Sequence, residues 1–355
     1  MKEWEKNIRR VIPYVPGEQP AVEKMVKLNT NENPYPPAPG VARVLHELNA
    51  DTLRFYPDPT ISLLVEELAR FYGLGRDQVF VGVGSDDVLA TAFLTFFNSE
   101  LPVLFPDITY SFYPVWCQLY RIPYKTQPLD ENFRIVREDY YRENGGIILA
   151  NPNAPTSIYE KLELIDDIVS HNKDSIVIVD EAYIDFADGP SAIELIRKHD
   201  NLVIVQTFSK ARSMAGMRIG YAMGNPELIK ALNDVKYSIN SYTLNQTAIL
   251  AGVEAVKDEA YFRENIKRIV DTRERFEESL RALGFSFPKP AANFVFATHR
   301  EIPAISIFKA LRENNIFVRY FDMPRIDNYL RITIGTDEEM DILTSSLRRI
   351  IENYK

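Results

Sequence analysis

From about residue 60 onward, short apolar runs alternate with amphipathic stretches. SLLVEELARFY spaces its apolar residues as a helix does and stops at Gly73, VFVGVG is a brief β-branched run, and DDVLATAFLTFF reads as a second helix. The alternation continues through PVLFP, a helical TYSFYPVWCQLY and RIPYKTQPL. GIILANP, SIVIVDEAY and NLVIVQTFSK are each short, β-branched and bounded by polar or turn residues. Strands of this kind, separated by helix-length segments, predict an α/β fold: a mostly parallel sheet flanked by helices.

After Asn245 the pattern changes. A long helical region extends to Leu283 and stops at Gly284, with Phe262, Ile266, Ile269, Phe276, Leu280 and Leu283 near helical spacing. NFVFATH, IFVRYF and YLRITIGT then read as strands, and ISIFKALREN and EEMDILTSSLRRII as helices, which makes a smaller α+β unit. The first forty residues hold Pro13, Pro16, Pro20, Pro34, Pro36, Pro37 and Pro39, so they form an arm rather than a continuous helix. Tyr14, Leu28 and Tyr35 among the prolines favour an arm packed across a body or a neighbouring subunit over a disordered one. The predicted organisation is an arm over 1–40, a large domain over 41–245 and a small domain over 246–355.

Composition narrows the function classes. A chain of 355 residues is too long for one small core, and 46% hydrophobic with 26% charged residues is ordinary for a globular protein. No apolar run approaches a membrane span, and the charged start MKEWEKNIRRV lacks a signal-peptide core, so a cytoplasmic location is expected. The single cysteine, Cys117, excludes a disulfide framework and reads as a buried structural thiol. His46, His171, His199 and His299 show no metal-ligand spacing, so no metal is expected. A net charge of −9 argues against a nucleic-acid partner. Any anionic ligand must be held by a few local cations.

In open α/β sheets ligands sit beyond the carboxyl ends of the strands, and three strand ends carry chemistry. After VFVGV, Gly84-Ser85-Asp86 enters a helix whose free amides suit a phosphate, although a plain glycine turn with a capping Ser85 or Asp86 reads the same way. After SIVIV, Asp180 emerges from an apolar run, where a carboxylate needs a cationic partner such as a protonated heterocyclic nitrogen. After NLVIVQ come Thr207, Ser209 and Lys210, with Arg218 eight residues beyond the lysine. Hydroxyls, an arginine and helix-start amides form a dianion site next to an amine whose pKa burial can lower.

SKARSMAGMRIGY resembles the lysine motif of fold-type I pyridoxal-phosphate enzymes, and NPNAPTS resembles their NPNNPTG motif. LNTNENPYPP, FYPDP, DEAYIDF and LRITIGT together resemble the histidinol-phosphate aminotransferases, over nearly the whole chain. The resemblance implies pyridoxal 5′-phosphate carried by Lys210, which also moves the proton at the substrate carbon. It implies Asp180 on the pyridine nitrogen, Tyr183 on the phenolic oxygen and Tyr110 stacked on the ring. Ser85, Asp86, Thr207, Ser209 and Arg218 would hold the phosphate, with Tyr56 reaching it from the neighbouring subunit of a homodimer. Arg331 would clamp a substrate carboxylate as a bidentate guanidinium. Arg319 and Tyr14 would bind the substrate phosphate or the distal carboxylate of glutamate, and Asn31 belongs to the same substrate side. The implied reaction exchanges the amino group between histidinol phosphate and 2-oxoglutarate, in histidine biosynthesis.

The chain departs from the family at two positions. Ala154 stands where the family asparagine precedes Pro-Thr, so either Asn153, one place upstream, takes over its contact with the phenolic oxygen or Tyr183 holds that oxygen alone. Ser157 replaces the closing glycine, a residue suited to positive φ. Competing readings within the fold are an aromatic or broad-specificity aminotransferase and a phospho-amino-acid decarboxylase. A nucleotide-binding dehydrogenase built on VFVGVGSDD lacks a full GxGxxG and leaves Lys210 without a role. A regulatory protein on this fold would need a DNA-binding segment, and the first forty residues hold no helix-turn-helix pattern.

Overall fold

The computed structural model describes residues 2–20 and 24–354. Strand β1 (Val26–Lys27) lies in the arm. Seven strands follow: β2 (Val79–Gly82), β3 (Val103–Pro106), β4 (Tyr124–Gln127), β5 (Gly146–Ala150), β6 (Val177–Asp180), β7 (Leu202–Thr207) and β8 (Gly220–Gly224). They form one sheet in the order β2-β8-β7-β6-β5-β3-β4, with β8 antiparallel to both neighbours and the remaining pairs parallel. The expected mostly parallel sheet is therefore present.

Both faces of this sheet are covered, which is why its strands read as continuous apolar runs. Successive side chains point to opposite faces. Ile147, Leu149, Val177, Val179, Leu202 and Ile204 pack one way, against helices α1 (Pro39–Glu47), α2 (Ser62–Tyr72), α5 (Leu162–His171) and α7 (Gln246–Lys257). Ile148, Ile178, Val203 and Val205 pack the other way, against α3 (Ser85–Phe96), α4 (Tyr113–Tyr120) and α6 (Pro226–Ile239). Helix α2 ends where its sequence says it should: Gly73 takes φ 65° and its N–H closes back on the carbonyls of Ala69 and Arg70. Helix α7, which follows Asn245, shares its buried residues with the large body. The segment expected to begin the small unit at 246 thus lends its first helix to that body.

A second core collects α8 (Glu259–Ala282), α9 (Ala304–Glu313) and α10 (Asp337–Tyr354) around a separate antiparallel sheet. Its strands are β9 (Phe285–Ser286), β10 (Phe294–His299), β12 (Arg319–Tyr320) and β13 (Leu330–Thr333), in the order β12-β13-β10-β9. IFVRYF, expected as one strand, is two. Ile316–Phe317 forms β11, which pairs in parallel with β1 of the arm, and the chain then switches sheets at Val318 to begin β12. TYSFYPVWCQLY is likewise helical only from Tyr113, with Pro114 in the first turn. The non-helical Tyr110–Phe112 is what turns Tyr110 toward the site. No helix among the described residues is long and apolar enough to cross a membrane.

Candidate active site

The carboxyl ends of β5, β6 and β7 and the turn after β2 surround a cavity of about 250 Å³, whose wall includes Tyr14, Asp180, Lys210, Arg218, Arg319 and Arg331. At its base, β8 presses against the β2–α3 turn. A Cβ on Gly220 would collide with the backbone at Gly84 C and Ser85 N, and Gly84 takes a positive φ that a side chain would strain, so both positions favour glycine. Gly84, at φ 85°, is the N-cap of α3 and has no side chain to occupy the first-turn amides of Ser85 and Asp86. Across from them, Thr207 and Ser209 hydroxyls lie 3.0 Å apart, and Arg218 places Nη2 3.7 Å from Asp86 Oδ2. Amides, two hydroxyls and a guanidinium thus face one small volume.

Asp180 ends β6 fully enclosed. Its Oδ2 accepts from Tyr113 Oη at 2.8 Å and its Oδ1 from the Ala182 amide at 3.2 Å, and neither donor is a cation. Burial pushes its pKa up to about 6 despite those donors. Lys210 follows β7, and its Nζ donates to the Thr30 carbonyl at 3.0 Å and stands 5.8 Å from the Tyr183 ring. Burial, then the Arg331 charge, pulls its pKa down to about 8. Tyr183 Oη accepts from Asn31 Nδ2 at 2.9 Å, and Asn31, at φ 56°, is fixed by two contacts with the Thr333 hydroxyl. Tyr110 donates to Asp86 Oδ1 at 2.8 Å, and the edge of its ring meets Tyr113 at 5.7 Å.

The far wall comes from the small sheet and the arm. Arg319 of β12 and Arg331 of β13 are direct cross-strand partners. Like charges placed opposite each other repel. Arg331 donates through Nη2 to the Asn29 carbonyl at 2.8 Å, its Nε is buried without a partner, and burial together with Arg319 depresses its pKa. Tyr14 of the arm stacks on Phe112 at 4.2 Å and lines the same cavity.

Two expected contacts are not brought here. Asn153 is turned away from the cavity: its amide nitrogen donates to the Ile108 carbonyl and to Thr156 Oγ1, and its oxygen accepts from Thr109 Oγ1. Its polar atoms are engaged in holding the loop, while Ala154 faces the cavity, so this structure does not place Asn153 where the family asparagine's contact would be made. Tyr56 is 80% exposed, stacks on Tyr242 at 4.4 Å, and stands outside this cavity. Ser157, in place of glycine, nevertheless takes φ 63°. Its Oγ donates to the Phe294 carbonyl and accepts from the amides of Ala291 and Ala292, contacts a glycine could not make. Sequence reading missed Tyr113, Thr30 and Thr333. Tyr113 had a weak signal, three residues from Tyr110 in the same aromatic run; the other two act through fold-dependent contacts.

A family model described as "Aminotransferase class I and II" matches residues 23–347. The chain belongs to that family. A histidinol-phosphate aminotransferase of Lactococcus lactis subsp. cremoris is 49% identical over 99% of the chain and 98% of the relative, and one of Acinetobacter baylyi is also 49% identical over 99% and 98%. The solved histidinol-phosphate aminotransferase of Sinorhizobium meliloti, in complex with pyridoxal-5′-phosphate, superposes with a TM-score of 0.86 at 25% identity, covering 94% of this chain and 92% of that one. The L-threonine-O-3-phosphate decarboxylase of Porphyromonas gingivalis shares the fold, with a TM-score of 0.79 at 21% identity over 92% of this aminotransferase and 100% of that chain. The residues present fit the cofactor. An enclosed carboxylate lacking a cation, an amine of lowered pKa and an uncapped helix start beside an arginine match its ring nitrogen, aldehyde and phosphate.

Proposed function

We propose that this aminotransferase moves the amino group of histidinol phosphate to 2-oxoglutarate, giving imidazole acetol phosphate and glutamate. The observation that carries the substrate is the cross-strand pair Arg319–Arg331. Two guanidinium groups held together against their mutual repulsion answer to a dianion, and a phosphate monoester supplies one. The relatives at 49% identity bear the same substrate in their names.

Pyridoxal phosphate, when bound, supplies an aldehyde that captures amines and a ring that accepts electrons from the substrate carbon. Lys210, at the pKa burial gives it, reaches its neutral form near physiological pH. Its Nζ would hold the cofactor's aldehyde and, as a free amine, is the base that would move the proton at the substrate carbon. Asp180, oriented by Tyr113 and Ala182, keeps a proton on the ring nitrogen. Tyr183, tied to Asn31, hydrogen-bonds the phenolic oxygen, and Ala154 leaves it as the side chain on that side. Tyr110 covers the ring face. Ser85 and Asp86 amides, Thr207, Ser209 and Arg218 hold the cofactor phosphate. Arg331, Arg319 and Tyr14 hold the substrate phosphate, and in the second half-reaction the carboxylates of 2-oxoglutarate.

The working unit is a homodimer. The loop bearing Tyr56 is rich in exposed apolar groups, with Leu53 at 63% and Phe55 at 59%, and the exposed ring of Tyr242 stacks on Tyr56 itself. In the dimer Tyr56 reaches the partner's cofactor phosphate. The test is direct: histidinol phosphate and 2-oxoglutarate are incubated with the cofactor-loaded protein and glutamate is measured. Stoichiometric glutamate supports the reading; carbon dioxide release from threonine phosphate without glutamate formation replaces it with the decarboxylase.

A further inference from the structure

Glu181 follows Asp180 at the end of β6, is 1% exposed and has no part in the chemistry above. Its carboxylate is fully used. Oε2 accepts from Ser191 Oγ at 2.5 Å and from Gln206 Nε2 at 2.8 Å, while Oε1 accepts from the Ala192 amide at 2.7 Å. Gln206 precedes Thr207 at the end of β7. Its Oε1 lies 2.7 Å from Tyr72 Oη of α2 and 2.8 Å from Tyr221 Oη of β8, and those hydroxyls lie 2.7 Å from each other. One polar network therefore joins α2, β6, β7, β8 and the loop at 191–192 inside an otherwise apolar core.

Because strand side chains alternate, Glu181 and Gln206 lie behind the face that Asp180 and Thr207 present to the cavity. The parallel register places Asp180 beside Val205, so the next pair outward is Glu181 and Gln206. None of the carboxylate's partners is a cation. A buried, unpaired carboxylate costs stability that an apolar pair of the same volume would not. What it provides is a fixed distance: three donors converge on it, one from β7 and two from the loop at 191–192, and an amide or a protonated acid there would point a donor at a donor.

We propose that Glu181 is a positioning residue for cofactor binding, cross-tying the carboxyl ends of β6 and β7 through Gln206 so that Asp180 and Thr207 are held at the spacing of ring nitrogen and phosphate. This rests on the reading that those two residues hold pyridoxal phosphate. The strands carry the two residues whose separation matters, and the network touches no substrate-side arginine. Loss of the tie is therefore felt in cofactor binding and turnover, with little change in KM.

The test uses full-length wild type, Glu181→Gln and the double exchange Glu181→Gln with Gln206→Glu, each stripped of cofactor and titrated with pyridoxal phosphate. The exchange restores one carboxylate and one amide, with Tyr72 and Tyr221 now donating to the carboxylate introduced at position 206. Glu181→Gln is expected to raise the cofactor Kd about tenfold, to shrink the visible circular dichroism band of the bound cofactor, and to lower kcat with KM for glutamate within about twofold. The double exchange is expected to recover most of the affinity and the dichroism. Ser191→Ala removes one donor from the same oxygen, and a smaller loss in the same direction is expected of it should Glu181→Gln fail to fold. Affinity and dichroism in Glu181→Gln and Ser191→Ala indistinguishable from wild type overturn the proposal, as does a double exchange no better than the single variant. Wild type that binds no pyridoxal phosphate overturns the cofactor reading and this inference with it.

Discussion

Tyr113 Oη donates to Asp180 Oδ2 at 2.8 Å, from a side chain that is itself completely buried. Burial first, and then the Asp180 charge, holds the phenol pKa well above its ordinary value, so this hydroxyl is a permanent donor. The same ring meets the edge of Tyr110, so one residue fixes both the carboxylate and the stacking ring. Tyr113→Phe keeps the packing and removes the donor. Asp180 then rises further above about 6 and loses its fixed orientation. The expected result is a cofactor Kd raised about tenfold, read by titration of the cofactor-free protein.

The Lys210 amine, lowered to about 8 by burial and then by Arg331, sets a pH dependence. Below that value the amine is protonated and cannot attack an aldehyde; above it the amine is free. The rate of cofactor uptake therefore rises with pH through about 8 and levels off. Arg331→Gln removes a nearby positive charge, so its midpoint moves to higher pH. Stopped-flow absorbance at a series of pH values measures both. Lys210→Ala should retain no cofactor after borohydride reduction and lose about 10⁴-fold or more in turnover.

Arg319 and Arg331 are predicted to divide by substrate rather than by fold. Each stands over the cavity, and among the described residues neither makes an ion pair with a carboxylate, so removing either eases a repulsion. Arg319→Gln should leave the melting temperature unchanged or raised while lowering kcat/KM for histidinol phosphate about 100-fold, the size of a lost charge-assisted contact. Arg331→Lys keeps the charge and loses the planar fork, and a loss of similar size is expected.

Ser157 offers a stability test. Its positive φ favours glycine, but its hydroxyl makes three buried contacts. Ser157→Gly relieves the backbone and forfeits those contacts, for a net loss of about 1 kcal/mol. Ser157→Ala keeps the strained backbone as well, so about 2 kcal/mol is expected. Urea unfolding of both variants measures the order, and a Ser157→Gly variant more stable than wild type shows that the backbone term outweighs the contacts.

The periodic parts of the fold were legible because each buried strand of the large sheet is an uninterrupted apolar run bounded by turn residues. The switch of sheets at Val318 was not, because IFVRYF keeps one strand-like pattern across two pairings. Strand β1 is two residues long and exists only because Phe317 and Ile316 lie alongside it. At the site, Lys210 and Asp180 could be read from their places after apolar strands, and Arg218 from its place eight residues beyond Lys210. Asn153 could not: its spacing to the family asparagine differs by one, and its side chain is turned to Ile108 and Thr109 by a loop that the sequence does not reveal. Tyr113 and Glu181 act through other residues, and such contacts need coordinates.

The most direct test of the whole account is the first half-reaction, followed without an amino acceptor. Cofactor-loaded protein is mixed with histidinol phosphate, phenylalanine or threonine phosphate, and the loss of the cofactor's visible band is timed. The account predicts that histidinol phosphate bleaches the band with an apparent second-order rate constant about 100-fold or more above phenylalanine, which offers the paired arginines no phosphate, and faster than threonine phosphate. Faster bleaching by phenylalanine, or none with histidinol phosphate, would contradict it.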